Sequence, residues 1–270
     1  MDRIAEAFRQ AGKEGRAALM PYVTGGFPRL DMLADVVDAA FRGGADLVEV
    51  GVPFSDPLAD GPVLQRAAEA ALAGPYSLQG LFDALAARRE PGPVVLLTYV
   101  NPVLAWGPAR FLAASRAAGA SGLIIPDLPW AESREMDRAA RGEGLALIPL
   151  AAPTSTDEHL ARLNRARGFV YGVSLTGVTG ARADLDPGLA AFAGRLKRAT
   201  RLPVAIGFGI STPEQARTVG RLVDGVIVGS ALVRAQAEDP ADAVGITEGF
   251  VRRFRDALDG GRKSEGVGVG

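Results

Sequence analysis

The chain has 270 residues, 48% of them hydrophobic, with 30 basic and 31 acidic side chains and a formal net charge of −1. That balance gives no electrostatic case for nucleic acid or a membrane surface, and the length suits one α/β barrel of roughly 250 residues. Cysteine is absent, which excludes disulfides and thiolate metal sites.

The start, Met-Asp-Arg-Ile-Ala-Glu, is charged and lacks the apolar core of a signal peptide. Residues 2–12 read as an amphipathic helix with Ile4, Ala7 and Phe8 on one face, suited to capping the bottom of a barrel. Short apolar runs then alternate with helical patterns. Strands are predicted at Ala17–Val23, Leu47–Val50, Val94–Tyr99, Gly122–Ile125, Ala146–Leu150, Phe169–Val173, Val204–Ile206 and Gly225–Val228. Between them, helical periodicity covers Asp31–Arg42, Leu78–Arg89, Arg110–Ala118, Glu132–Arg141, Asp157–Arg165, Leu189–Arg198 and Pro213–Val219. An extra helix, Val63–Ala73, follows the second strand, and Pro62 suits its start.

The strands are continuously apolar, as expected where both faces are covered. Eight such β–α units point to a (β/α)8 TIM barrel over residues 1–258, with residues 259–270 predicted as a disordered Gly-rich tail. An open doubly wound sheet is the alternative, but the first turn, Thr24-Gly-Gly-Phe-Pro28, is not its glycine fingerprint. Pro91 to Ala109 carries no charge, yet Pro91, Pro93, Pro102 and Pro108 break it too often for a spanning helix. The expected location is the cytoplasm.

Glu49 is a carboxylate inside the apolar run Asp46–Gly51, with no Lys or Arg beside it in the sequence. Alternation puts Leu47, Glu49 and Gly51 on one face of the strand. If that face is the lumen, burial raises the pKa of Glu49 and suits a general acid/base; a carboxyl bonded to a neighbouring hydroxyl, without chemistry, fits equally. The loop beyond carries Asp56 and Asp60. Tyr22, Tyr99 and Tyr171 close the first, third and sixth strands, so three phenols converge on the mouth, as core packing or as binding groups. Asp127 ends the fourth strand, and turn capping is its favoured reading. The seventh and eighth strands end in Gly207-Phe-Gly209 and Gly229-Ser230, turns leading to helix N-termini that suit an anion. With no Walker or dinucleotide motif, a small phosphate ester is the expected ligand. The loop from Ser174 to Pro187 is long, and Gly177 and Gly180 make it either a lid or a passive connection.

The single histidine, His159, reads as an exposed residue in a helix first turn, and Lys13, Lys197 and Lys263 all stand away from strand ends. Histidine-bound metal, lysine imines and covalently held pyridoxal phosphate are therefore not expected in this chain. Carboxylates and tyrosines remain as the reactive groups.

The run Glu49-Val-Gly-Val-Pro-Phe-Ser-Asp-Pro-Leu-Ala-Asp-Gly61 resembles a signature of the tryptophan synthase α subunit family. Pro21-Tyr-Val-Thr-Gly, Tyr99-Val-Asn-Pro, Ile125-Pro-Asp-Leu-Pro, Tyr171-Gly-Val-Ser, Gly177-Val-Thr-Gly180, Gly207-Phe-Gly-Ile and Gly229-Ser support it in order and spacing. The resemblance spans the whole barrel and implies retro-aldol cleavage of indole-3-glycerol phosphate to indole and glyceraldehyde 3-phosphate. It implies Glu49 as the acid/base group and Asp60 as the carboxylate that holds the indole N–H. Tyr22, Leu97, Ile124 and Leu150 match positions lining the indole pocket, and Tyr171 a tyrosine beside the glutamate. Gly180, Phe208, Gly209, Gly229 and Ser230 match the phosphate site, to which Gly207 is added from its turn, and Thr179 matches a lid threonine that meets Asp60. Tyr22 stands where the family often has phenylalanine, which keeps the aromatic packing and adds a hydroxyl. No cofactor is implied in this chain; the implied partner is a pyridoxal-phosphate β subunit in an α2β2 heterotetramer, contacted through Asp56, Pro57 and the Val63–Ala73 helix. A stand-alone lyase would carry the same motifs. A catalytically weak barrel that activates the partner is a third reading, against which both acids argue.

Overall fold

The computed structural model describes residues 2–173, 188–207 and 209–260. Helix α1 (Arg3–Lys13) precedes β1 (Ala18–Thr24), α2 (Leu33–Arg42) and β2 (Val48–Gly51). Two helices, α3 (Pro62–Ala73) and α4 (Leu78–Ala86), separate β2 from β3 (Val94–Leu97), and two more, α5 (Val100–Trp106) and α6 (Pro108–Ala117), lead to β4 (Ala120–Ile124). Then come α7 (Arg134–Gly142), β5 (Ala146–Ile148), β6 (Leu150–Ala151), α8 (Asp157–Arg162), β7 (Val170–Val173), α9 (Gly188–Ala199), β8 (Val204–Gly207), α10 (Pro213–Gly220) and β9 (Gly225–Val228). The order closes with α11 (Ser230–Glu238) and α12 (Ala243–Gly260). No helix among the described residues is long and apolar enough to cross a membrane.

All pairings are parallel, in the order β5-β4-β3-β2-β1-β9-β8-β7-β6. The nine strands make eight staves, because the expected fifth strand is split at Pro149. Proline has no N–H to donate to a ladder, so β5 stays with β4 while β6 crosses to β7, and the Pro149 carbonyl accepts the Tyr171 N–H at 3.0 Å. The third strand stops at Leu97, two residues short of expectation, and Tyr99 becomes the N-cap of α5. Helix α12 carries the chain to Gly260, past the expected start of the tail, and the rest of that tail lies outside the described residues.

Alternation sorts the side chains into two apolar clusters. Val48 and Val50 face outward with the helix layer, whereas Leu47, Val95, Leu97, Ile124, Ile148, Phe169, Tyr171, Ala205 and Ile227 fill the lumen. Ile4, Phe8 and Ala11 of α1 enter that inner cluster, so the N-terminal helix plugs one end as its apolar face predicts. At the same end Asp46 accepts both terminal nitrogens of Arg16 at 2.7 and 2.8 Å, the Leu19 N–H at 2.8 Å and Arg255 of α12 at 3.1 Å. This buried carboxylate ties the last helix to the first two strands and leaves the opposite end for chemistry.

Candidate active site

Glu49 points into the lumen, 1% exposed, in Cα register with Tyr22 on β1 and Val95 on β3. Its Oε2 has no hydrogen-bond partner among the described residues. Among the described residues no hydroxyl bonds that oxygen, as the inert reading of this residue would require. Burial, helped by the nearby charge of Asp60, pushes the Glu49 carboxyl up from 4.5 to about 8.

Asp60 sits in the loop between β2 and α3, and burial raises it from 3.8 to about 6, opposed by a hydrogen bond from Tyr99. The loop is held at two points. The Tyr99 hydroxyl accepts the Ala59 N–H at 3.1 Å, and Gln65 Nε2 donates to the Asp60 carbonyl at 2.9 Å. Phe54 packs its ring 5.4 Å from that of Tyr99. Asp56 is exposed and takes only a bond from Ser55 at 2.6 Å, so it is not part of this group.

The three tyrosines do gather here. Burial lifts the phenols of Tyr22 and Tyr171 well above their ordinary value, as do the charges of Glu49 and Asp60 that both rings face. Two glycines give them room: a Cβ on Gly51 would strike the Tyr22 phenol, and one on Gly207 would lie 2.6 Å from the Tyr171 hydroxyl. Tyr22 receives a 3.4 Å bond from Thr24 and packs with Ala67 of α3 and Val233 of α11, apart from the lumen cluster. Leu97, Ile124 and the half-buried Leu150 share the lumen cluster with Tyr171.

The predicted anion turns are not equivalent. Gly209 adopts a positive φ of 77°, open on its Cβ side. Helix α11 begins at Ser230 with Gly229 as N-cap and no side chain bonded to the cap, leaving its first N–H groups available. Helix α10, by contrast, is closed by its own capping box: Thr212 Oγ1 accepts the Gln215 N–H, and Gln215 Oε1 accepts Ser211 and Thr212 at 2.8 and 3.2 Å. At that second helix N-terminus the Ser211, Thr212 and Gln215 N–H groups are already taken. Thr179, Gly180 and Phe208 lie outside the described residues.

Asp127 bonds the Val100 N–H with both oxygens, at 3.0 and 3.1 Å, confirming a capping role. His159 is half-buried rather than exposed, because its Nε2 reaches the Leu150 carbonyl at 3.0 Å. Tyr99, expected at the mouth as a strand-end phenol, adjoins Asp60 together with Phe54 and Gln65, which were not among the expected site residues. Among the described residues no group of His, Asp and Glu is placed to hold a metal ion.

The comparisons with known proteins agree on one family. The family profile of the tryptophan synthase alpha chain matches residues 8–257. The tryptophan synthase alpha chain of Roseiflexus castenholzii is 48% identical over 260 residues, covering 94% of this chain and all 100% of its own length. That of Carboxydothermus hydrogenoformans is 48% identical over 238 residues, covering 86% and 88%. The crystal structure of the Legionella pneumophila alpha chain superposes with a TM-score of 0.89 at 33% identity, covering 98% of this chain and 99% of that one. A structure of Mycobacterium tuberculosis tryptophan synthase gives 0.87 at 36% identity, covering 96% and 98%. With agreement in sequence over nearly the whole length and in the course of the backbone, the chain belongs to the tryptophan synthase alpha chain family.

Proposed function

We propose that the chain carries out the α reaction of tryptophan synthase, the cleavage of indole-3-glycerol phosphate to indole and glyceraldehyde 3-phosphate, with Glu49 and Asp60 as the catalytic pair. The observation that carries this reading is the buried Glu49 oxygen without a partner among the described residues, beside a second carboxyl in an apolar and aromatic lumen.

With a value near 8, Glu49 holds a proton at neutral pH. It gives that proton to ring carbon C3, leaving the indole ring cationic at nitrogen. Asp60, with a value near 6, is then ionised and accepts the ring N–H, stabilising that positive charge. The bond from C3 to the side chain breaks, and its electron pair returns to the ring. The adjacent hydroxyl becomes the aldehyde and yields its proton to the Glu49 carboxylate, which restores the acid. Atoms and electrons balance without imine, metal or external oxidant, because the protonated heterocycle is the electron sink.

Tyr22, Leu97, Ile124, Leu150 and Tyr171 supply the walls for the ring. Gly207, Gly209, Gly229 and Ser230 take the phosphate at the open N-terminus of α11, with Phe208, Gly180 and the Thr179 lid assigned by family resemblance. The chain needs no cofactor of its own. Its partner is a pyridoxal-phosphate β subunit in a cytoplasmic α2β2 assembly, docked on the loop of Asp56 and Pro57 and on α3. The 83% exposed Leu58 between Pro57 and Asp60 supports that surface.

Purified Glu49→Gln should lose indole release by about 10³-fold or more while still binding substrate. Wild-type turnover in that variant would refute the assignment. Indole release measured with and without an added β subunit tests the partnership, which a lack of stimulation would refute.

A further inference from the structure

Asp127 stands on the loop after β4, yet its carboxylate reaches across to the start of α5. Both of its oxygens accept the Val100 N–H, at 3.0 and 3.1 Å. The N-cap of α5 is Tyr99, which makes no side-chain bond to its own helix, so Asp127 caps that helix from a neighbouring stave. The peptide immediately after Tyr99 is thereby fixed. The buried Tyr99 ring, 5.4 Å from Phe54, sends its hydroxyl back over the mouth. There the oxygen accepts the Ala59 N–H at 3.1 Å, which leaves the phenolic hydrogen for the Asp60 carboxylate.

A chain of contacts thus runs from Asp127 through the Val100 N–H and Tyr99 to the Ala59 N–H, on the residue that precedes Asp60. The segment it steadies, between β2 and α3, has no regular secondary structure of its own. We propose that Asp127 is a positioning residue for the cleavage reaction: by clamping the Val100 N–H it sets Tyr99, and through the Tyr99 hydroxyl on the Ala59 N–H it holds the loop that presents Asp60 where the ring nitrogen arrives. This rests on the role of Asp60 proposed above.

The groups facing Asp60 are Glu49 from β2, Tyr22 from β1, Tyr171 from β7 and Tyr99. Across the acid limb of the rate profile Glu49 stays protonated and the phenols stay neutral. A move of that limb therefore reports the Tyr99 bond, which favours ionised Asp60.

The experiment measures kcat and KM for indole release against pH in Asp127→Ala, Asp127→Asn, Tyr99→Phe and Asp60→Asn, with urea unfolding alongside. Asp127→Ala should lower kcat about 10- to 100-fold with KM changed far less, and should move the acid limb to higher pH. Asp127→Asn keeps an oxygen acceptor for the Val100 N–H and should recover most of both effects. Tyr99→Phe leaves the clamp in place and should move the limb in the same direction, so the idea stays exposed to failure even if Asp127→Ala folds poorly. An unmoved limb with wild-type kcat in Asp127→Ala, whatever its loss of stability, would reduce the residue to a structural cap and overturn the proposal. So would an asparagine variant no better than alanine. Wild-type turnover in Asp60→Asn would overturn the role of Asp60 itself, and the relay with it.

Discussion

Burial and, after it, the charge on Asp60 hold the proton on Glu49. Asp60 ionises first, near 6, and its negative charge then adds to burial in raising Glu49 to about 8. The two acids form one coupled pair whose productive form is ionised at Asp60 and protonated at Glu49. The profile of kcat/KM should be a bell with limbs near those two values. The basic limb is the diagnostic one, since a substrate phosphate itself titrates at about 6. A rate that stays level to well above pH 9 would show that the Glu49 proton plays no part.

The same shift bears on stability. Glu49 keeps its proton up to about 8 when folded but only to its ordinary 4.5 when unfolded. Between these values the folded chain binds more protons than the unfolded one, so raising the pH lowers stability until the folded carboxyl ionises. From pH 6.5 to 8.5, above the Asp60 titration, the wild type should lose on the order of 2 kcal/mol in urea unfolding. Glu49→Gln, which mimics the protonated acid at every pH, should flatten this part of the slope. An identical slope in both proteins would place Glu49 in contact with water.

Gly51 and Tyr22 should be energetically coupled. On β2 the position in register with Thr24 carries no side chain, and the Tyr22 phenol occupies the space a Cβ would take. Gly51→Ala should displace that ring, cost about 1–3 kcal/mol and, if the phenol lines the ring pocket as proposed, raise KM. In a Tyr22→Leu background the added methyl should cost much less. A double-mutant cycle with no interaction energy would contradict the packing.

Much of this arrangement was readable from residue order alone, for identifiable reasons. Continuous apolar runs located the staves, and period-two alternation put Leu47 and Glu49 on one face, which the fold turns to the lumen. The features that escaped depend on neighbours distant in sequence. Pro149 is plain to see, but its splitting of the fifth stave follows from which strands flank it. Helix α5 hid in a proline-broken stretch because Pro102 falls in its first turn, where a missing N–H costs nothing. The capping box of Thr212 and Gln215 is itself a local pattern, and it takes up N–H groups that the glycine turn alone suggested were free. Tyr99 was visible as a strand-end phenol, but its grip on the Ala59–Asp60 loop joins residues 40 apart.

The plug beneath the site offers a separate test of how the barrel is filled. Phe8 of α1 lies 5.4 Å from Phe169, which is 6.3 Å from Tyr171, so aromatic rings stack from the closed end towards the mouth. Gly225 on β9 leaves the space for this ring, since a Cβ there would sit 2.8 Å from Phe8 Cε1. Phe8→Ala should lower stability by about 3 kcal/mol through the cavity it opens. Gly225→Ala alone should also destabilise, by overpacking, but in the Phe8→Ala background the new methyl enters the vacated volume and should restore part of the loss. Urea unfolding of the two single variants and the double variant measures this directly. Purely additive losses would mean that α1 does not seat its phenylalanine against β9.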